Sequence, residues 1–176
     1  TGQIAPLLEG MGDHHFSISS EDTLVNRFFD QGIMLTYGFN HAEAERTFRQ
    51  VAELEPENAM AWWGVALVQR PNINMPMMPD VVPVAWEALQ KAVELKDNVS
   101  QREQDYIEAL SKRYAENPPE DRRPMDEAYA EAMGELVRKY PNDLDARTFY
   151  AEALMDLHPW DYWTKKGEPQ PWTLEI

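Results

Sequence analysis

The chain has 176 residues, no cysteine and a formal net charge of −15. Disulfides, thiolate metal sites and cysteine nucleophiles are therefore closed to it. The acidity, with no cluster of Lys and Arg, argues against nucleic acid and anionic membrane surfaces as partners, and no apolar run is long enough to span a bilayer.

Residues 1–18 carry His14 and His15 but no helical period, and are expected to form an extended N-terminal segment. Helical periodicity starts after Ser19 and Ser20, and residues 19–157 read as a series of helical repeats. In the first, 25–58, the residues Phe28, Gly32, Leu35, Ala44, Phe48 and Pro56 fall at tetratricopeptide spacing. That spacing describes a unit of about 34 residues whose small and aromatic side chains interlock two antiparallel helices before a proline ends the second.

The second unit, 59–99, restarts the pattern at Trp62 and Ala66 and continues through Ala85, Leu89 and Ala92. A third, 100–143, contains the helical runs SQREQDYIEALSKRYA and MDEAYAEAMGELVRKY and ends at Pro141. The fourth, 144–157, has only LDARTFYAEALMDL. Ser100 with Glu103, and Asn40 with Glu43, have capping-box spacing, and Asn58 and Asn142 follow prolines at successive borders. The expected fold is all-α: a tetratricopeptide-repeat-like α-solenoid of about three and a half helical hairpins.

Three insertions, 70–83, 116–124 and 158–172, fall in the turn between the two helices of successive units. Equivalent turns line one edge of a solenoid, so these segments are expected to build one surface there. They are rich in Trp, Met, Asn and Pro, a composition that holds a shape better than Gly and Ser do. The last belongs to a Trp/Pro-rich loop or tail, 158–176. Leu154, Met155 and Leu157 lie on a helix without a hairpin mate, and GEPQPWTLEI is too short to replace it. Further C-terminal repeats, a protein partner or a second copy are expected to cover that face.

Catalytic signatures are absent: there is no Gly-rich phosphate loop, H-E-x-x-H, G-x-S-x-G or EF-hand loop. The leading expectation is a non-enzymatic scaffold that binds a protein partner through the solenoid groove and the loop edge. First-helix residues expected to face the groove are Asn26, Phe29, Ile33 and Thr36; Met60, Trp63, Leu67 and Arg70; Gln101, Gln104 and Glu108; and Asp145, Thr148 and Glu152. Among these and the loops, Phe29, Ile33, Trp63, Arg70, Asn72, Asn74, Trp160 and Trp163 are the candidate partner contacts. Arg70 alone does not make the Lys/Asn/Arg clamp with which some tetratricopeptide domains hold a peptide carboxylate.

A second reading places a Cu- or Zn-type metal on the loop edge. All four histidines, His14, His15, His41 and His158, lie outside the helix middles, and Asp161 is a further candidate ligand. Repeat geometry puts His41 and His158 on one edge with Met75, Met77 and Met78, and thioethers lean toward Cu(I). Trp160, Tyr162, Trp163 and Trp172 beside His158 suggest an aromatic cage. A third and weakest reading is an enzyme completed by additional C-terminal repeats.

The strings GDHHFSIS, RFFDQGIMLTYGFNHAEAERTFR, AMAWWGVAL, RPNINMPM and YAEALMDLHPWDYW resemble a bacterial family of tetratricopeptide-repeat proteins without a defined activity. The resemblance covers nearly the whole chain, insertions included. Its members are longer and many are exported, which implies an N-terminal portion of such a protein and an exported or periplasmic location. A chain starting at Thr1 instead of Met fits removal of a leader. The matching motif positions are His14, His15, Asn40, His41, Asn72, Asn74, Met77, His158, Trp160, Asp161 and Trp163. Some relatives carry Cys in the segment equivalent to NAMAW, where this chain has Asn58 and Ala61.

Overall fold

The computed structural model describes residues 3–176. Among them are seven α-helices and no strand: α1 (Thr23–Tyr37), α2 (His41–Leu54), α3 (Ala59–Leu67), α4 (Val82–Leu95), α5 (Gln101–Ser111), α6 (Arg123–Lys139) and α7 (Leu144–Leu157). Short 3-10 turns, Pro79–Val81 and Lys96–Asn98, lead into and out of α4. The all-α expectation holds.

Polar caps set most of the helix starts. Asn58 accepts from the amides of Met60 and Ala61 at 3.1 and 3.2 Å, and Ser100 with Glu103 forms a complete capping box. Elsewhere the cap differs from the sequence reading. Asp22, instead of Ser19 or Ser20, caps α1 by accepting from Leu24 N–H at 2.7 Å, and Asp143, instead of Asn142, caps α7. Asn40 precedes α2 but its side chain makes no cap bond.

α5 is also shorter than its periodicity implies. It stops at Ser111 because tertiary partners claim the next residues: Arg113 is fully buried, and Tyr114 donates its hydroxyl to Ala66 O at 2.7 Å. Two interior bonds outweigh another half-turn of helix.

Consecutive helices pack side by side, and α3 also touches α1 and α5. Close approach depends on two glycines facing one ring. A Cβ on Gly32 would sit 2.6 Å from Phe48, and one on Gly64 would also clash with that ring. Phe48 of α2 is thus wedged against both α1 and α3.

The odd-numbered helices share an aromatic interior. Phe29, Trp63, Tyr106 and Phe149 come from α1, α3, α5 and α7, and Trp63 touches the other three with ring centroids 5.6–6.5 Å apart. Phe16 of the N-terminal segment completes the cluster, lying 5.4 Å from Phe29, 5.8 Å from Trp63 and 5.3 Å from Tyr106.

Residues 3–19 of that segment form no helix and are bound along their length to the helices. Gln50 accepts the amides of Ile4 and Ala5, and Gln31 accepts that of Leu8 at 2.7 Å. Asp30 takes Phe16 N–H at 2.8 Å, Arg102 donates to Ser17 O at 3.0 Å, and Glu103 accepts from Ser19 N–H at 2.7 Å. A backbone outside regular structure must find acceptors, and here they are side chains on α2, α1 and α5.

Candidate functional site

The groove-facing expectation is corrected by this interior. Phe29, Ile33, Trp63 and Arg70 are all buried, as are Thr36, Met60 and Leu67. Phe16 packs on Phe29 and Trp63, so Phe29, Ile33, Trp63, Met60 and Leu67 hold the fold, whereas Thr36 and Arg70 also border an open recess.

The accessible recess lies beside them. Thr36, Tyr37, Phe39, Ile73, Thr148, Phe149, Ala151 and Met155 line a cavity of about 440 Å³, with Arg70 and Glu152 also in its wall. Three segments meet there: the α1–α2 turn, the 70–83 loop and α7. The Arg70 guanidinium pairs with Glu152 and lies 5.6 Å from the Phe149 ring centroid, so a buried charge is held by a carboxylate and an aromatic face.

Phe39 is the unusual member. The amide of Asn40 reaches back to Leu35 O at 2.9 Å and that of Phe39 to Thr36 O at 3.1 Å, the paired bonds of a Schellman motif. The position between helix and loop in that motif is left-handed and favours glycine. Here it is Phe39 at φ 57°, while Gly38, one residue earlier, has φ −79°. A bulky side chain in this region costs about 1–2 kcal/mol relative to glycine. Phe39 is nevertheless 46% exposed, so burial of its ring recovers only part of that cost.

A second, smaller cavity of about 200 Å³ adjoins Arg70 on another side. His41, Glu45, Val68, Gln69, Asn72, Met75, Pro76, Met77, Met78 and Val81 complete its lining. The 70–83 loop is braced over it: Asn72 and Met75 exchange backbone hydrogen bonds of 2.9 and 3.0 Å, and Asn72 Oδ1 accepts from Asn74 N–H at 2.9 Å. Asn72 therefore shapes the loop. His41 is the first residue of α2 and not a turn residue. Burial, with the nearby Arg70 cation, pushes its imidazole below the ordinary histidine range.

No protein-family model, curated protein or solved structure matches the chain.

The four histidines do not converge. His14 Nε2 lies 2.9 Å from Asp145 Oδ1, and His15 Nδ1 lies 3.0 Å from Asp30 Oδ2. The His15 contact is a hydrogen bond that ties the N-terminal segment to α1, whereas His14 Nε2 lies beside Asp145 without a hydrogen bond. His158 ends α7 and stacks on Trp172 at 3.8 Å, with interplanar angle 7°. Asp161 is engaged within the tail, accepting from Gln170 Nε2 at 2.9 Å and, through its carbonyl, from Trp172 Nε1 at 2.7 Å. Among the described residues, no group of three or more His, Cys, Asp or Glu is arranged to hold a metal ion. The five-residue ligand set drawn from the sequence is thus distributed over separate places.

Trp160 and Trp163 point into water, 72% and 61% exposed, and Trp172 packs on His158, so the four aromatics form no cage. Instead 158–176 folds back on α7: Tyr162 donates to Met155 O at 3.2 Å, and Tyr150 bonds Glu175. The tail covers more of α7 than its length suggests, though Leu144 remains 73% exposed.

A charged core beneath the recess escaped the sequence reading. Arg113, 0% exposed, donates to Asp126 at 2.9 Å and to Asp156 at 2.7 Å, with its guanidinium 4.7 Å from the Tyr129 ring centroid. One signal was available: Phe149, Glu152, Ala153 and Asp156 stand at i, i+3, i+4 and i+7, so two acids of α7 share its apolar stripe.

Proposed function

We propose that the chain is a tetratricopeptide-like interaction module that holds a protein partner, and that the docking element is an extended segment bearing apolar and basic side chains. The recess between Phe39, Ile73, Phe149 and Met155 is its seat. The observation that carries this reading is Phe39: a ring kept half-exposed at the rim of an apolar recess, in a backbone state that favours glycine. Backbone strain that the surrounding fold retains is a mark of a functional position. The apolar walls favour aliphatic or aromatic anchors, and the net charge of −15 favours cationic residues beside them.

The repeat reading is supported by the capped starts of α3, α5 and α7 near the anticipated unit borders and by the Gly32–Phe48–Gly64 interlock. The seat takes in Thr36, Arg70, Thr148 and Glu152 of the anticipated groove, while Phe29, Ile33 and Trp63 lie in the packed interior beside it.

Fluorescence anisotropy with labelled peptides of matched length tests the proposal. Apolar–basic peptides are expected to bind more tightly than apolar–acidic ones, with affinity falling as salt rises. Phe39→Ala and Ile73→Ser should each weaken binding by at least about tenfold, a loss of ~1.4 kcal/mol. Equal binding of acidic peptides, or unaltered affinity in both variants, would refute the assignment.

A further inference from the structure

Both ring nitrogens of His41 are shielded from water, and neither has a hydrogen-bond partner among the described residues. An imidazole in that condition has lost its hydration without replacement, so each idle nitrogen requires an explanation. The cavity it lines supplies one. Met75, Met77 and Met78 line the same 200 Å³ space, and no other histidine does.

These methionines are not ordinary gap-fillers. Met75 and Met78 are 52% and 47% exposed, unlike methionines that fill a core. Pro71, Pro76, Pro79 and Pro83 punctuate the loop that carries them, and the Asn72–Met75 bonds fix its turn. A stiff loop that lines one cavity with a bare imidazole has already lost part of the conformational entropy that metal binding would otherwise cost.

The donor set also selects the ion. Imidazole with thioethers is a soft set that suits Cu(I), whereas Zn²⁺ sites draw on thiolate, several imidazoles or carboxylates. The one carboxylate in the lining, Glu45, is held by Arg49 at 2.8 Å. Arg70 in the same wall opposes a divalent charge twice as strongly as a monovalent one.

We propose that His41, together with the thioethers of Met75, Met77 and Met78, forms a binding site for a cuprous ion. His14, His15, His158 and Asp161 take no part, since none of them lines this cavity. The site shares Arg70 and the 70–83 loop with the peptide recess, but the proposal does not depend on peptide docking.

Anaerobic titration of untagged protein with Cu(I), against a chromophoric cuprous chelator, tests the assignment. Stoichiometric retention is expected, with nitrogen and sulfur neighbours in the X-ray absorption spectrum. His41→Ala and the triple Met75→Leu/Met77→Leu/Met78→Leu variant should each weaken retention at least about tenfold, the lower end of what even outer-shell changes cost a metal site. His14→Ala, His15→Ala and His158→Ala should retain the metal as the parent does. Met-to-Leu exchange conserves volume, so the triple variant decides the matter even if His41→Ala fails to fold. Undiminished Cu(I) retention by the triple variant, a spectrum without sulfur neighbours, or equal affinity for Zn²⁺ would overturn the proposal.

Discussion

Phe39 and Gly38 stand in the wrong order for the most stable helix ending. Phe39→Gly would place glycine at the left-handed position and remove a strain of about 1 kcal/mol. Thermal or denaturant unfolding should therefore show the variant at least as stable as the parent, while its affinity for apolar–basic peptides falls. A stable variant with intact binding would mean that the ring serves only the turn. Arg113 illustrates a different residue-scale balance. Its two carboxylate partners and the Tyr129 ring make its burial tolerable, but removal of the cation would strand Asp156 in the core.

Among the elements, α7 is the one most dependent on polar anchoring. Asp143 caps it, accepting from Ala146 N–H at 3.1 Å, and also takes Arg102 Nε at 2.6 Å and Tyr106 Oη at 3.0 Å. Burial alone would raise this carboxyl, but the bonds from Arg102, Ala146 and Tyr106 outweigh it and hold the group below the usual aspartate range. A depressed folded value means that the unfolded chain takes up the proton first. Its stabilising contribution is therefore present above the ordinary aspartate pKa of about 3.9 and is lost as pH falls through the folded value. In acid titrations followed by circular dichroism, Asp143→Asn should be less stable than the parent near neutrality, with the difference narrowing as pH falls through that window.

The elements themselves were largely legible in the sequence, because the 3.6-residue period and the border residues Asn58 and Ser100 are local signals. The shortened α5 was not, since Tyr114 leaves the helix for Ala66, far away in sequence. The same distinction governs the site. The 70–83 loop could be recognised from its prolines and methionines, and His41 with it. The filling of the groove by Phe16 could not, because nothing local to that residue reports Phe29, Trp63 and Tyr106. The left-handed Phe39 hid behind an adjacent glycine that invited the role.

For the whole molecule, Phe16 adds to the Trp63 contacts that already join α1, α3 and α5. It is 0% exposed and touches rings from α1, α3 and α5, with the Arg102 guanidinium 4.4 Å from its own ring centroid. Phe16→Ala should cost about 3–5 kcal/mol in equilibrium unfolding, the range for a large aromatic removed from a core. A loss under ~1 kcal/mol would show that the surrounding rings close the gap unaided.

The N-terminal segment also fixes an order of events. Residues 14–19 leave the ribosome before α1 to α7, yet their partners include Arg102 and Glu103 on α5 and Asp145 on α7. Each helical pair can form from near neighbours as it is made, whereas this strap must wait until most of the chain has been translated. A stretch made ahead of the seven helices is then among the last to settle, and Phe16 waits through their synthesis for the rings that shelter it in the finished fold.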